Sequence, residues 1–438
     1  MRYLQKIFFL IILASLCNFA WVDAETTLPM IRVGLAIDQT SLCLPLKANE
    51  CLVDRENQES ILASGDLLII TGVAGKIWIN DRPLGAASLL LVADQELLTW
   101  NDQSYRGDFL IVAQNNKVTL INQLPLEQYI QGVLPGEMPT SWSLEALKAQ
   151  AVAARTYTLA TLTRHAQAGF DLCASTHCQM YVGASLECSS TNQAVAETEG
   201  KVLTYQGQPI TAFYHAASGG KTSAATSIWG QELPYLQAVI DWDQNSPHNN
   251  WQRNYAWEQL QGMAARSYPK LGRLTQLLPL TYTDGKLARI SCRGDLGEVI
   301  LTGEQFRAWL GLPSSHVQVG MVYGPEPLIT LGWFADRQYP EASMLNPALP
   351  GGIEILSPPW DLCEPYSWLR DKEPQFLMLK GSGWGHGVGL SQWGAKGMAD
   401  FGYLAEQILA YYYPGTVLMK LQDLSVPPDK NIKKETKE

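Results

Sequence analysis

Between Ser143 and Leu162 the sequence places Leu144, Leu147, Ala151, Val152 and Ala154 at helical spacing, with further alanines at 146, 149, 153 and 160. A helix whose small residues are not confined to one stripe can be approached closely from more than one side, so it belongs inside a fold. Ser143 is a good N-cap, and Glu145 suits the positive end of the helix dipole. Upstream the pattern is different. Ile31–Leu35 and Lys76–Asn80 alternate, the second meeting the turn signal Asn80-Asp81-Arg82-Pro83, while Leu89–Val92, Phe109–Val112 and Lys117–Ile121 are further short apolar runs. These read as strands. Strands over about 30–126 followed by a helix-centred part predict a mixed α+β chain.

Hydrophobic residues make up 46% and charged residues 17% of the 438 residues, the balance of a chain that builds cores and not of a disordered one. The length suffices for about two or three domains. A formal net charge of -10 argues against nucleic acid as the main partner. Arg2 and Lys6, the apolar run Phe8–Leu16 and the small-residue pattern Val22-Asp23-Ala24 read as an export signal cleaved before Glu25. The expected location is periplasm or cell wall. An uncleaved anchor is the alternative, and membrane contact is expected only through this segment. Seven cysteines follow Cys17 of the signal, an odd number that cannot all pair. Cys43 with Cys51 is the expected local disulfide in an oxidising compartment.

Further along, residues 171–189 form a loop bearing Cys and His. Ile210–His215 is strand-like, and Trp257–Ala265 reads as a helix. Residues 324–372 are rich in Pro and Gly and read as an inserted loop region. The tail after Pro427 is Lys-rich and expected to be disordered.

Four constellations can carry chemistry. Pro135 and Pro139 bracket a turn holding Gly136, Glu137 and Met138, ahead of the alanine-rich helix. Val133, Leu134, Met138 and Trp142 are apolar neighbours able to desolvate the carboxyl, which raises its pKa towards that of a general acid; the bland alternative is an ordinary loop carboxylate. His165, Cys173, His177 and Cys178 match a tetrahedral zinc set in number and type. The alternative there is a Cys173–Cys178 disulfide beside two uninvolved histidines. Four protein ligands would leave no open position, so such a zinc would be structural. The run Gly381–Ala395 places glycine at alternate positions up to Gly389, with His386, Gln392, Trp384 and Trp393 as possible contacts. Its backbone can approach either a ligand or another strand. Last, Tyr214-His215 leads into Ser218-Gly219-Gly220-Lys221-Thr222. Without a G-x-S-x-G elbow, a structural or substrate-contact turn is a better reading of Ser218 and His215 than a serine nucleophile.

Together these blocks resemble the SpoIID/LytB family, named for sporulation stage II protein D and an amidase enhancer. The resemblance rests on Asn122–Pro139 running into Leu144–Tyr157, then Ser218–Thr222, Trp229-Gly230 with Pro234-Tyr235-Leu236, and Trp384–Gly394. It implies an α/β catalytic core over 127–423, of which 324–372 does not resemble the family; with the readings above this gives a signal peptide (1–24), a β-rich region (25–126), the core and a basic tail (424–438). It also implies that Glu137 is the acid of a peptidoglycan lytic transglycosylase, and that His165, Cys173, His177 and Cys178 hold one structural zinc. Arg155, Tyr157, His215, Ser218, His386 and Gln392 would line the groove. The expected partners are glycan strands and a cell-wall amidase. Under the family's other role, the same groove binds glycan or that amidase and cuts nothing; a weaker reading is a structural wall-anchoring protein.

Overall fold

The computed structural model describes residues 29–46, 50–55, 60–61, 67–93, 97–323, 328–331 and 373–424. The signal segment, the tail beyond 424 and all of the expected insertion except 328–331 lie outside them. The fold is α+β. A seven-stranded sheet runs in the order Leu172–Cys173, Met30–Gln39, Lys117–Pro125, Asp108–Gln114, Ser88–Ala93, Glu50–Asp54, Ser60–Ile61. Its long pair, Met30–Gln39 and Lys117–Pro125, is antiparallel, with Ile31 opposite Leu124 and Val33 opposite Asn122. A four-stranded sheet of Ser41–Pro45, Leu67–Val73, Lys76–Ile79 and Arg82–Pro83 accompanies it.

Eight α-helices occur among the described residues: α1 (Leu126–Glu137), α2 (Leu144–Ala160), α3 (Ser189–Glu197), α4 (Ala225–Trp229), α5 (Trp257–Ser267), α6 (Gly303–Leu310), α7 (Gln392–Asp400) and α8 (Ala405–Tyr412). α1 corrects the expected turn. Leu126, Tyr129, Ile130, Val133 and Leu134 are buried at helical spacing, and Pro135 is accommodated in the last turn. Glu137 is the final helical residue and Met138 the C-cap. α2 is the helix that the alanines predict, and it is buried almost all round, from Ala146 to Leu159 with Lys148 the exception. Ser143 is its N-cap residue, but its side chain makes no capping hydrogen bond. α1, α3, α7 and α8 all pack against it.

Two separate cores occur among the described residues. One core joins Ile31, Val33 and Leu120 of the first sheet to α1 and α2, and to Val388, Leu390, Ile408 and Tyr412 near the other end of the chain. A second core, around the part of the chain that follows, contains Trp257, Leu260, Leu277, Ile290, Phe306 and Leu379. That part carries the three-stranded sheet Leu274–Thr283, Lys286–Gly294 and Glu298–Thr302, with Trp251–Ala256, Phe376–Gly381 and Val317–Tyr323 beside it. The expected Cys43–Cys51 pairing is not formed: Cys43 is a free, exposed thiol, on a strand of the four-stranded sheet, whereas Cys51 lies in the seven-stranded one. No helix among the described residues is long and apolar enough to cross a membrane.

Candidate active site

Glu137 ends α1 as a half-buried residue. Oε1 accepts the Met180 backbone N–H at 2.8 Å. Oε2 accepts Nε2 of Gln392 at 3.3 Å. Tyr214 is a further neighbour, its hydroxyl bonded by Gln179 Nε2 at 3.0 Å. Burial pushes the carboxyl above its ordinary range, and the contacts from Met180, Tyr214 and Gln392 pull it partly back. The position at a helix C-terminus acts with burial, because the negative end of the helix dipole disfavours a second negative charge. The balance is a carboxyl that keeps its proton to higher pH and yet has donors ready when the proton leaves, which is what a general acid needs. Among the described residues, no second carboxylate is among the groups that set its protonation.

Gln392 arrives from the far end of the sequence. Ser391 caps α7, its Oγ accepting the Gly394 N–H at 3.1 Å, and the first residue of that helix reaches Glu137. The glycine run before it lies against Phe213–Ser218. Gly385 has φ of 110°, and a Cβ there would sit 2.7 Å from that of His215; at Gly389, φ 75°, a Cβ would overlap the Phe213 carbonyl. The close approach left open by the sequence is therefore to the protein's own chain. The indoles of Trp142 and Trp393 meet edge to face with centroids 4.9 Å apart. Both are half-buried and follow closely on Glu137 and Gln392.

Several expected groove residues are instead interior. Arg155 is fully buried and grips Glu127 in a bidentate pair, at 2.8 Å from Nε and 2.7 Å from Nη2. It also donates to the Lys201 carbonyl at 3.2 Å. A guanidinium taken out of water needs such partners, so Arg155 ties α2 to α1 and does not face a ligand. Tyr157 is buried, and its hydroxyl accepts from Arg164 at 2.7 Å. Ser218 donates to Oδ2 of Asp241 at 2.5 Å and has no bond to His215, which rules against a nucleophilic role. His215 is buried with Nδ1 3.2 Å from the Val388 carbonyl, and burial, with His386 and Lys286 nearby, keeps its ring neutral. His386 accepts the Val388 N–H at Nδ1, 3.1 Å away. Burial, reinforced by Arg307 and Lys286, pushes it down to about 3. Neither histidine is bonded to Glu137; both lock the glycine run in place.

The donor atoms of His165, Cys173, His177 and Cys178 all lie within 4.8 Å of one another. His165 Nε2 is 3.3 Å from Cys178 Sγ, and His177 Nδ1 is 3.5 Å from Cys173 Sγ. Cys173 and Cys178 are free thiols, so the disulfide alternative is not realised. Two imidazoles and two thiols converging in this way fit a closed four-coordinate metal of the zinc type. Cys178 is followed by Gln179, whose buried amide bonds Tyr129, Ala154, Thr158 and Tyr214, and then by Met180 at the carboxylate.

Tyr214, Gln179 and Met180 escaped sequence reasoning as site residues. Tyr214 stood beside His215 in a recognised block, which is a usable signal. The Met180 contact is a backbone amide, which any residue would supply.

The chain thus brings together one half-buried glutamate whose carboxyl is raised by burial and a nearby Cys/His cluster. A family model described as Stage II sporulation protein (SpoIID) matches residues 114–205. Stage II sporulation protein D of Bacillus subtilis (strain 168) is 30% identical over 312 residues, covering 68% of this chain and 75% of that protein. The amidase enhancer of the same organism is 34% identical over 307 residues, which is 66% of this chain but only 40% of the longer relative. An uncharacterised protein of Brachyspira hyodysenteriae is 28% identical over 323 residues, covering 73% and 74%. The chain belongs to the SpoIID/LytB family.

Proposed function

We propose that this protein is an exported peptidoglycan lytic transglycosylase with Glu137 as its single acid and base. The observation that supports this best is the Glu137 carboxyl itself, raised by burial and held by the Met180 N–H and Gln392, with no second carboxylate among the described residues bearing on its charge. A glycosidase that uses water ordinarily needs two carboxylates. A lytic transglycosylase manages with one. Protonated Glu137 gives its proton to the oxygen linking muramic acid to glucosamine, and that bond breaks. The resulting carboxylate takes the proton of the muramic acid 6-hydroxyl, whose oxygen closes on the anomeric carbon to leave a 1,6-anhydro end. The nucleophile is tethered, so no water has to be activated. Met180 and Gln392 stabilise the carboxylate while it is charged. Trp142 and Trp393 offer indole surface against which sugar rings can stack.

His165, Cys173, His177 and Cys178 would hold a structural zinc. Bound there, the metal supplies no chemistry of its own, and its role is to fix the loop that presents Gln179 and Met180. The names of the relatives support a cell-wall setting, reached through the export segment at the start of the chain. One of those names supports a second reading, in which the groove binds glycan and assists a cell-wall amidase without cutting.

The deciding experiment incubates purified protein with peptide-free glycan strands and examines the products by mass spectrometry. Anhydro-muramic ends support the lytic reading. Unchanged strands, with a partner amidase accelerated in a parallel assay, support the enhancer reading.

A further inference from the structure

The far end of α7 carries an aromatic patch that the acid does not use. Gly394 and Gly397 lie nearly one turn apart on α7, and both face the stretch Asp241-Trp242. A Cβ at the first would overlap Oδ1 of Asp241, and one at the second would overlap the Trp242 carbonyl. Only glycine lets the helix come this close. Asp241 is buried, accepting Ser218 Oγ at 2.5 Å and the Tyr412 hydroxyl at 2.6 Å. Its chain neighbours point the other way, so Ile240 is 69% exposed and Trp242 is half-buried. The Tyr411 hydroxyl donates to the Ile240 carbonyl at 2.5 Å and steadies this stretch. Phe401, directly after α7, meets the Trp242 indole edge to face with ring centroids 5.2 Å apart, and Tyr403 does so at 5.6 Å. Phe401 is 75% exposed. Clustered exposed apolar side chains mark interaction sites, where scattered ones do not.

We propose that Trp242, Phe401 and Tyr403 form a stacking platform for the glycan strand, apart from the acid. This rests on glycan being the ligand, as read above, whether the strand is cut or only held. α7 connects the two places. Its first residue, Gln392, reaches Glu137. Its nine residues span about 13 Å, roughly two or three linked sugar rings. A strand that runs from Glu137 along α7 brings a later ring to the platform, where aromatic faces cover the apolar face of a sugar. Other occupants fit less well. So few rings expose roughly 200–400 Å², short of the ~800 Å² per partner of a standard protein interface. An anionic lipid surface is not attracted either, because the chain has a formal net charge of -10 and Lys396 beside the patch is already paired with Asp400. That exposed pair can instead hydrogen-bond sugar hydroxyls.

The test measures binding by calorimetry in the Glu137→Gln background, which leaves strands uncut. The probes are peptide-free glycan as a single disaccharide and as long strands. Adding Phe401→Ala should weaken long-strand binding about tenfold through the loss of one stacking ring, and leave disaccharide binding within about twofold. Phe401→Tyr keeps a ring and should bind long strands as Glu137→Gln alone does. Both Phe401 variants should melt with the background protein, because the side chain is exposed. Long-strand binding unchanged by Phe401→Ala, or an equal loss for both lengths, overturns the platform. A dimer that Phe401→Ala converts to monomer in sedimentation, with strand binding unmoved, assigns the patch to a second copy and overturns it as well. Failure of the lytic reading looks different: wild type leaves strands intact, while Phe401→Ala still separates long glycan from short. If Glu137→Gln binds neither length, the glycan reading falls and takes the platform with it.

Discussion

The backbone amide of Met180 lies 2.8 Å from Oε1 of Glu137, two residues beyond Cys178, so the acid's backbone donor and the Cys/His cluster share one short stretch of chain. Whatever holds Cys178 also places the amide that steadies the carboxylate. Removing a metal from this cluster should therefore disturb the acid without touching it. Elemental analysis of purified protein is expected to find one zinc per chain. Chelation should lower the melting temperature, because ligand binding and folding are linked, and should lower turnover by about tenfold. Absence of metal together with a Cys173–Cys178 disulfide in the mass spectrum would exclude this.

Glu137→Gln should preserve folding and glycan binding and reduce turnover by about a hundredfold or more, the usual scale of general acid catalysis. Glu137→Asp should also be poor, since it withdraws the carboxyl by roughly 1.5 Å from a reacting centre sensitive to such displacement. Equal cutting by wild type and Glu137→Gln, followed over time by mass spectrometry, would send the search to another carboxylate.

The same residue has a stability signature. Burial raises the Glu137 pKa in the folded state. A raised carboxyl pKa means that the folded chain holds this proton more tightly than the unfolded one, so the ionised group destabilises the fold. That penalty is fully present above the folded pKa and is gone below the unfolded value. Glu137→Gln should accordingly melt higher than wild type near neutral pH, and the difference should shrink as pH falls through the folded pKa. A constant difference from pH 7 down to pH 4 in calorimetry contradicts the buried-acid description.

Arg155→Ala should act on folding. It leaves Glu127 in a partly buried setting with its cation removed, a change that typically costs about 3–5 kcal/mol. Denaturant titration should show the loss, and whatever protein remains folded should have an unchanged KM. A raised KM with normal stability would return Arg155 to the groove.

Gly389→Ala should destabilise strongly, through both its positive φ and the overlap with the Phe213 carbonyl. Gly402→Ala shares a positive φ but meets nothing within 4 Å, so it should cost only about 1 kcal/mol of backbone strain. Thermal melts of the pair separate the two contributions.

Legibility in the sequence followed the range of the interaction. α2 was readable because its alanines sit in one continuous stretch, and the Cys/His set because its four donors fall within residues 165–178. α1 was obscured because Pro135 and Pro139 look like turn markers, although Leu126, Tyr129, Ile130, Val133 and Leu134 already carried helical spacing. Arg155 was misplaced for a different reason. Its fate depends on Glu127 and on a carbonyl at Lys201, and nothing local to the helix shows that those groups will enclose it. The second core was hidden because its members are drawn from both sides of the stretch 324–372.

The contact between Gln392 and Glu137 spans 255 residues, and α2 is covered by α7 and α8 from the same late part of the chain. During synthesis, the acid and the helix beside it emerge long before the segment that completes them. Such long-range closure is slow and comes last. A chain shortened before Gln392 lacks one of the carboxylate's donors and exposes one side of its central helix, so a partly made copy has neither a finished site nor a finished interior. For a protein proposed to cut the cell's own wall, assembly order itself then keeps the blade sheathed until the last helices arrive.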